Sequence, residues 1–159
     1  MPEDHIDIEI IAFREEFAID FARLNYEWID KAYSIEDHDR DLLDHPIEKI
    51  IDLGGEIFFA LAGELIVGTV ALIPLDGKTL ELAKMAVSPE CRGRGIGEKL
   101  MEACIVHAGT QGRRRIILES NTKQVAAVRL YLKFGFKEIP LDPNSYFERA
   151  NIRMELVVS

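Results

Sequence analysis

Arg92-Gly93-Arg94-Gly95-Ile96-Gly97 packs two arginines and three glycines into six residues. The apolar run Leu80-Glu81-Leu82-Ala83-Lys84-Met85-Ala86-Val87 precedes it and predicts a strand. After it, Ile96, Leu100, Met101, Cys104, Ile105 and Ala108 recur at three- and four-residue steps, which predicts a helix. The chain therefore passes from strand to Gly-rich turn to helix start. The first turn of a helix has backbone N–H groups without intrahelical partners and a partial positive charge. Glycines let that backbone approach an anion closely, and two guanidinium groups add full charges. This is the chemistry of a diphosphate cradle.

Two familiar phosphate patterns do not fit. In Gly-x-Gly-x-x-Gly the third glycine would fall on Glu98 or Leu100, depending on the starting glycine. A P-loop starting at Gly93 would need Gly-Lys-Ser/Thr where the chain has Glu98-Lys99-Leu100. What remains is Arg-x-x-Gly-x-Gly after a strand, preceded by Val87-Ser88-Pro89-Glu90. This resembles the acetyl-CoA pyrophosphate loop of the GNAT family of N-acetyltransferases, and the longer string from Glu81 to Gly97 sharpens the likeness. The resemblance implies that Arg92, Gly93, Arg94, Gly95, Ile96 and Gly97 hold the pyrophosphate of acetyl-CoA. It also implies that Met85, Ala86 and Val87 offer backbone groups to the acetyl and pantetheine arm.

A second segment, Leu130-Tyr131-Leu132-Lys133-Phe134-Gly135-Phe136, is similar to the family's Leu-Tyr-x-Lys-x-Gly-Phe signature. Its tyrosine serves as the acid facing the CoA sulfur, which assigns that role to Tyr131. Periodicity alone reads Tyr131 as a core aromatic. An asparagine often lies seven residues before that tyrosine in the family; here the position is Gln124, and Asn121 lies ten before. Asn121 is thus a candidate CoA contact and also a candidate helix cap, with Gln124 completing a capping box.

Acetyl transfer from a thioester needs a neutral amine, a hydrogen-bond donor for the carbonyl oxygen and a proton for the departing thiolate. A phenol with pKa ~10 is protonated at neutral pH and can donate. For the base, Glu81 is the candidate. Period-two alternation puts it on the strand face of Met85 and Val87, about 13 Å along the strand from Met85. At that distance it would act through water or bind the amine; the plain alternative is a surface glutamate near a strand start. Arg149 is either a partner for a substrate carboxylate or a surface arginine. Tyr146 and Arg153 lie near it in the closing segment.

The elements that must position these groups follow from patterning. Ile6, Ile8 and Ile10 alternate in a strand over about 5–12. Phe13, Phe17, Phe21, Leu24 and Trp28 mark an amphipathic helix. The charged stretch from Ser34 to Asp44 reads as a solvated face or a substrate-side lid, with Pro46 opening a further turn. A hairpin turns at Gly63-Glu64, between Ile57–Ala62 and Leu65–Ile73, and Thr79–Val87 completes an antiparallel meander. Gly109 and Gly112 end the next helix. Arg113-Arg114-Arg115 then leads into the strand Ile116–Leu118, as a solvated connection or part of the CoA nucleotide site. A helix from Asn121 ends at Gly135, and strands at 136–139 and from Ile152 to Val158 close the chain.

The expectation is an α+β fold of three layers, with a mixed, twisted central sheet of about seven strands flanked by helices, in one domain spanning 1–159. This order matches the GNAT order.

The chain has 159 residues and a net charge of −9, which argues against a nucleic-acid partner. No apolar run is long enough to span a membrane. The start, Met1-Pro2-Glu3-Asp4-His5, lacks a signal-like apolar core, so the expected compartment is the cytoplasm. Cys91 and Cys104 form no disulfide framework, and His5, His38, His45 and His107 have no metal-ligand spacing, so no metal is expected. The expected partners are acetyl-CoA and an amine acceptor, small-molecule or protein-borne. A homodimer is compatible with the chain. The rival reading is a non-catalytic acyl-CoA-binding or sensor module on the same fold.

Overall fold

The computed structural model describes residues 7–145 and 147–158. The elements in chain order are β1 (Ile8–Ala12), α1 (Ala18–Ala32), α2 (Asp37–Asp44), β2 (Glu56–Ala62), β3 (Leu65–Pro74), β4 (Thr79–Val87), α3 (Ile96–Thr110), β5 (Arg115–Ser120), α4 (Val125–Lys133), β6 (Lys137–Ile139) and β7 (Ile152–Val157). A single π-type turn, Ile47–Ile51, follows Pro46. Residues 5 and 6 of the expected first strand, and Tyr146, lie outside the described residues.

The seven strands form one sheet in the order β1-β2-β3-β4-β5-β7-β6. β1 to β4 run as an antiparallel meander, β4 and β5 are parallel, and β7 pairs antiparallel with both β5 and β6. This is the expected mixed sheet, and helices cover both faces. On one face Phe21, Leu24 and Ile29 of α1 and Leu42 and Leu43 of α2 pack with Ile57, Phe59 and Ala71. On the other, Ile96, Leu100, Met101 and Cys104 of α3 and Tyr131 of α4 pack with Val70, Leu72, Leu80 and Leu82. Gly68 allows the close seating of α3: a Cβ there would lie 3.0 Å from Ile96 and 3.2 Å from Leu100.

Several boundaries differ from the sequence reading. The first helix starts at Ala18, so Phe13 lies before it and Phe17 sits in a short 3-10 turn. α3 runs through Gly109 to Thr110; Gly112, at φ 69°, lies beyond its end. The expected capping box at Asn121 does not form. α4 starts at Val125 behind Gln124, with no side-chain cap. Asn121 instead accepts from the Lys123 N–H at 2.9 Å and donates to the Arg149 carbonyl at 2.7 Å, so it builds a turn and ties it to the segment before β7. The arginine triplet is a structural connection: Arg113 donates to the Asp76 carbonyl at 2.6 Å, and Arg115 pairs with Glu155 at 2.6 Å.

Candidate active site

β4 is the element on which the site depends, and two features set it apart. First, it pairs with β5 only over Thr79–Glu81. Beyond Glu81 the two strands part, each held by its other neighbour, and the β5-facing edge of β4 from Leu82 to Val87 has no strand partner among the described residues. Second, β4 carries a bulge. Thr69 pairs with Ala86 and Ala71 with Ala83, so Lys84 and Met85 together oppose Val70. Lys84 takes a left-handed φ of 57°.

The bulge corrects one expectation. Leu80 and Leu82 belong to the core under α3, and so do Met85 and Val87, whereas Ala86 faces the α1 side. The alternation slips by one residue at Lys84. Glu81 therefore does not share a face with Met85 and Val87; it faces the α1–α2 side, where Lys84 also points.

A cavity of about 600 Å³ opens where β4 and β5 part. Of the residues singled out by sequence, Glu81, Met85, Ala86, Val87, Arg92, Gly93, Gly95, Ile96, Gly97, Asn121 and Tyr131 all line it, as does Gln124. Arg94 is exposed and does not. At one end lies the N-terminus of α3. Gly95 is its N-cap residue at φ 77°, and Gly93 has φ 78°; both are conformations that favour glycine. A Cβ at either would meet nothing within 4 Å, so the requirement here is one of backbone angle and open space. No side chain among the described residues caps the helix, leaving its first N–H groups facing that space.

At the other end are titratable groups. Burial raises the Glu81 carboxyl from 4.5 to about 7; the Glu119 carboxylate adds to the rise, while Lys84 and Arg153 oppose it. Glu119, on β5, also lines the cavity. One of its oxygens accepts from the Ser145 hydroxyl at 2.7 Å, and the other is buried with no partner among the described residues. Sequence reasoning missed Glu119. Its one signal was a carboxylate closing an apolar strand, which marks no face by itself. Burial raises the Tyr131 phenol to about 12. The ring packs on Phe136 with centroids 5.8 Å apart, and the hydroxyl has no hydrogen-bond partner among the described residues.

Arg149 is not a surface arginine: it lines the cavity, and its guanidinium is engaged within the protein. It grips Asp39 through two nitrogens at 2.6 and 2.9 Å, reaches Glu36 at 3.2 Å, and lies over the Phe147 ring at 4.3 Å. Asp39 also pairs with Lys84. Burial pushes the Asp39 carboxyl up, but Arg149, Lys84 and the Glu36 N–H override it and hold it at about 2. The charged stretch is thus not simply a solvated face: Asp39, Leu42 and Leu43 are buried. Among the described residues no group of three or more His, Cys, Asp or Glu could hold a metal ion, and no helix is long and apolar enough to cross a membrane.

Comparison with known proteins decides the family. The model of the acetyltransferase (GNAT) family matches residues 13–136. The chain belongs to the GNAT family. N-acetyltransferase 8B of Rattus norvegicus is 36% identical over 103 residues, covering 62% of this chain and 46% of the rat protein, so the chain spans about half the length of the curated relatives it matches. A GNAT acetyltransferase of Staphylococcus aureus superposes with a TM-score of 0.87 at 24% identity, over 96% of this chain and all of that one (100%). Spermidine N-acetyltransferase from Vibrio cholerae, solved with CoA and spermine, superposes at 0.72 with 20% identity, over 95% of each chain. These likenesses support the GNAT fold.

Proposed function

We propose that this protein is an N-acetyltransferase that moves the acetyl group of acetyl-CoA directly onto a primary amine. One observation carries the reading: a single cavity is lined by the N-terminus of α3, the edge of β4 beyond Glu81, and the residues Glu81 and Tyr131. The diphosphate rests on the backbone from Gly93 to Gly97, with Arg92 as counter-charge. The pantetheine arm lies along the free edge at Met85, Ala86 and Val87 and adds to the sheet as a strand would. A backbone N–H there polarises the thioester carbonyl. Asn121 and Gln124 both border this path, and Asn121 has the structural role given above.

The acceptor arrives as an ammonium with pKa ~10.4. Glu81 removes its proton through water. A carboxyl near 7 suits this better than an ordinary one. The amine nitrogen then attacks the thioester carbon, the C–S bond breaks, Tyr131 protonates the departing thiolate, and the proton shed by the acylated nitrogen restores the phenol. A phenol held near 12 keeps its proton until that moment. Glu81 and Glu119, with Trp28, Tyr33 and Phe147 lining the same end, favour a cationic acceptor, whether a small amine or a protein amine.

A sensor module would need the diphosphate end only, and two perturbed proton-transfer groups in the same cavity favour catalysis. The free thiols of Cys91 and Cys104 are consistent with the cytoplasm as the proposed compartment. The test is thiol release from acetyl-CoA across a panel of amines. Acceptor-dependent release supports the enzyme; acetyl-CoA binding with no release for any amine supports the sensor.

A further inference from the structure

Lys84 is the only non-glycine residue with a positive φ among the described residues, at 57°. An L side chain in this conformation crowds its own backbone and persists only where the surroundings hold it. Two buried polar side chains from two helices converge on it. Asn25 of α1, with no exposed surface, donates through Nδ2 to the Lys84 carbonyl at 3.1 Å. Asp39 of α2, equally buried, pairs with Lys84 Nζ. Both anchors are themselves fixed. Asn25 also donates to the Phe21 carbonyl at 3.0 Å and accepts from Trp28 Nε1 at 3.2 Å. Asp39 is held by Arg149 and by the Glu36 N–H at 2.8 Å. Phe147 stacks on the Lys84 ammonium at 4.5 Å. Neither Asn25 nor Asp39 lines the cavity, so neither is placed to touch a ligand.

We propose that Asn25 and Asp39 are positioning residues that lock the Lys84 bulge, and that the bulge sets the β4 edge at Met85–Val87 for the pantetheine arm and thioester. The physical link is the phase of the strand. With the bulge, Met85 and Val87 face α3 and Ala86 faces α1; a regular strand would exchange them. A relaxed bulge therefore misplaces the backbone groups that meet the acyl arm and leaves the helix-start cradle at Gly93–Gly97 intact. The inference rests on the acetyl-CoA reading of the cavity.

The test compares two ligands on folded protein by calorimetry: acetyl-CoA, and adenosine 3′-phosphate 5′-diphosphate, which keeps the diphosphate and stops before pantetheine. Asn25→Ala removes the donor to the Lys84 carbonyl, and Asp39→Asn weakens the anchor with little change of shape. Each should cost about tenfold in acetyl-CoA affinity and under about twofold for the nucleotide. Equal losses for both ligands, or unchanged acetyl-CoA affinity in folded variants, overturn the proposal. If Asn25→Ala does not fold, Asp39→Asn decides on the same pair of ligands. If the unmodified protein binds neither ligand, the acetyl-CoA reading itself fails and the inference falls with it.

Discussion

Glu81→Gln separates the penalty of a buried charge from its use. In the folded protein burial, then the Glu119 carboxylate, raise the Glu81 carboxyl from 4.5 to about 7. The unfolded chain loses this proton near 4.5, so between about 4.5 and 7 the folded state binds more protons than the unfolded one. Stability from this group is present in full below 4.5 and is lost as pH rises through about 7. At about 1.4 kcal/mol for each pH step, the loss at pH 8 is about 3 kcal/mol. Glutamine has the same shape and no charge. The variant should match the parent at pH 4 and exceed it by up to about 3 kcal/mol at pH 8 in urea titrations. Catalysis should move the other way. In the parent, kcat/KM should climb tenfold per pH unit and level off near pH 7, where the Glu81 carboxyl ionises. The variant should lose the limb and about 10²–10⁴-fold of the plateau rate. A Gln variant that is less stable than the parent at pH 8 would refute the burial argument. One that keeps the limb and the rate would remove Glu81 as the base.

Tyr131→Phe should lower kcat by about 10²–10⁴-fold with acetyl-CoA affinity little changed. Because the hydroxyl has no partner among the described residues, its thermal melt should match the parent's or rise slightly; full turnover would reject the acid role. Gly95→Val forces a β-branched residue to φ 77° and should cost about 1–2 kcal/mol of stability and abolish acetyl-CoA binding, read by calorimetry on the folded fraction. Arg92→Ala should weaken acetyl-CoA binding about tenfold. Arg94→Ala should weaken it less, since Arg94 does not line the cavity; the reverse ranking would make Arg94 rather than Arg92 the counter-charge of the diphosphate.

Local signals carried most of the fold. The limits of β4, the turn at Gly63-Glu64 and the stop at Gly135 are each written in neighbouring residues, and the structure has them there. The Arg/Gly loop was legible for the same reason: a strand, glycines at positive φ and a helix start lie side by side in the chain. What escaped is long-range. Lys84 carries no mark of its left-handed backbone, since an alternating apolar strand reads the same with or without a bulge. That slip turned Glu81 to the other face. Asp39 sits in a run of charges, and its pairing with Lys84 and Arg149, 45 and 110 residues away, explains why it is buried. Asn25 reads as one more polar residue of α1 until its partner across the sheet is seen. Glu119 depends likewise on where β4 and β5 part, which no local pattern announces.

The central claim is direct acetyl transfer within one cavity. Its most direct test counts products in a single-turnover reaction of the protein with acetyl-CoA and an amine taken from the thiol-release screen. Free CoA and acetylated amine should appear together, at equal rates and in equal amounts, with no acetyl adduct on the protein by intact mass. Free CoA appearing ahead of the acetylated amine with acetyl left on the protein, or bound acetyl-CoA persisting with every amine tried, would contradict the account.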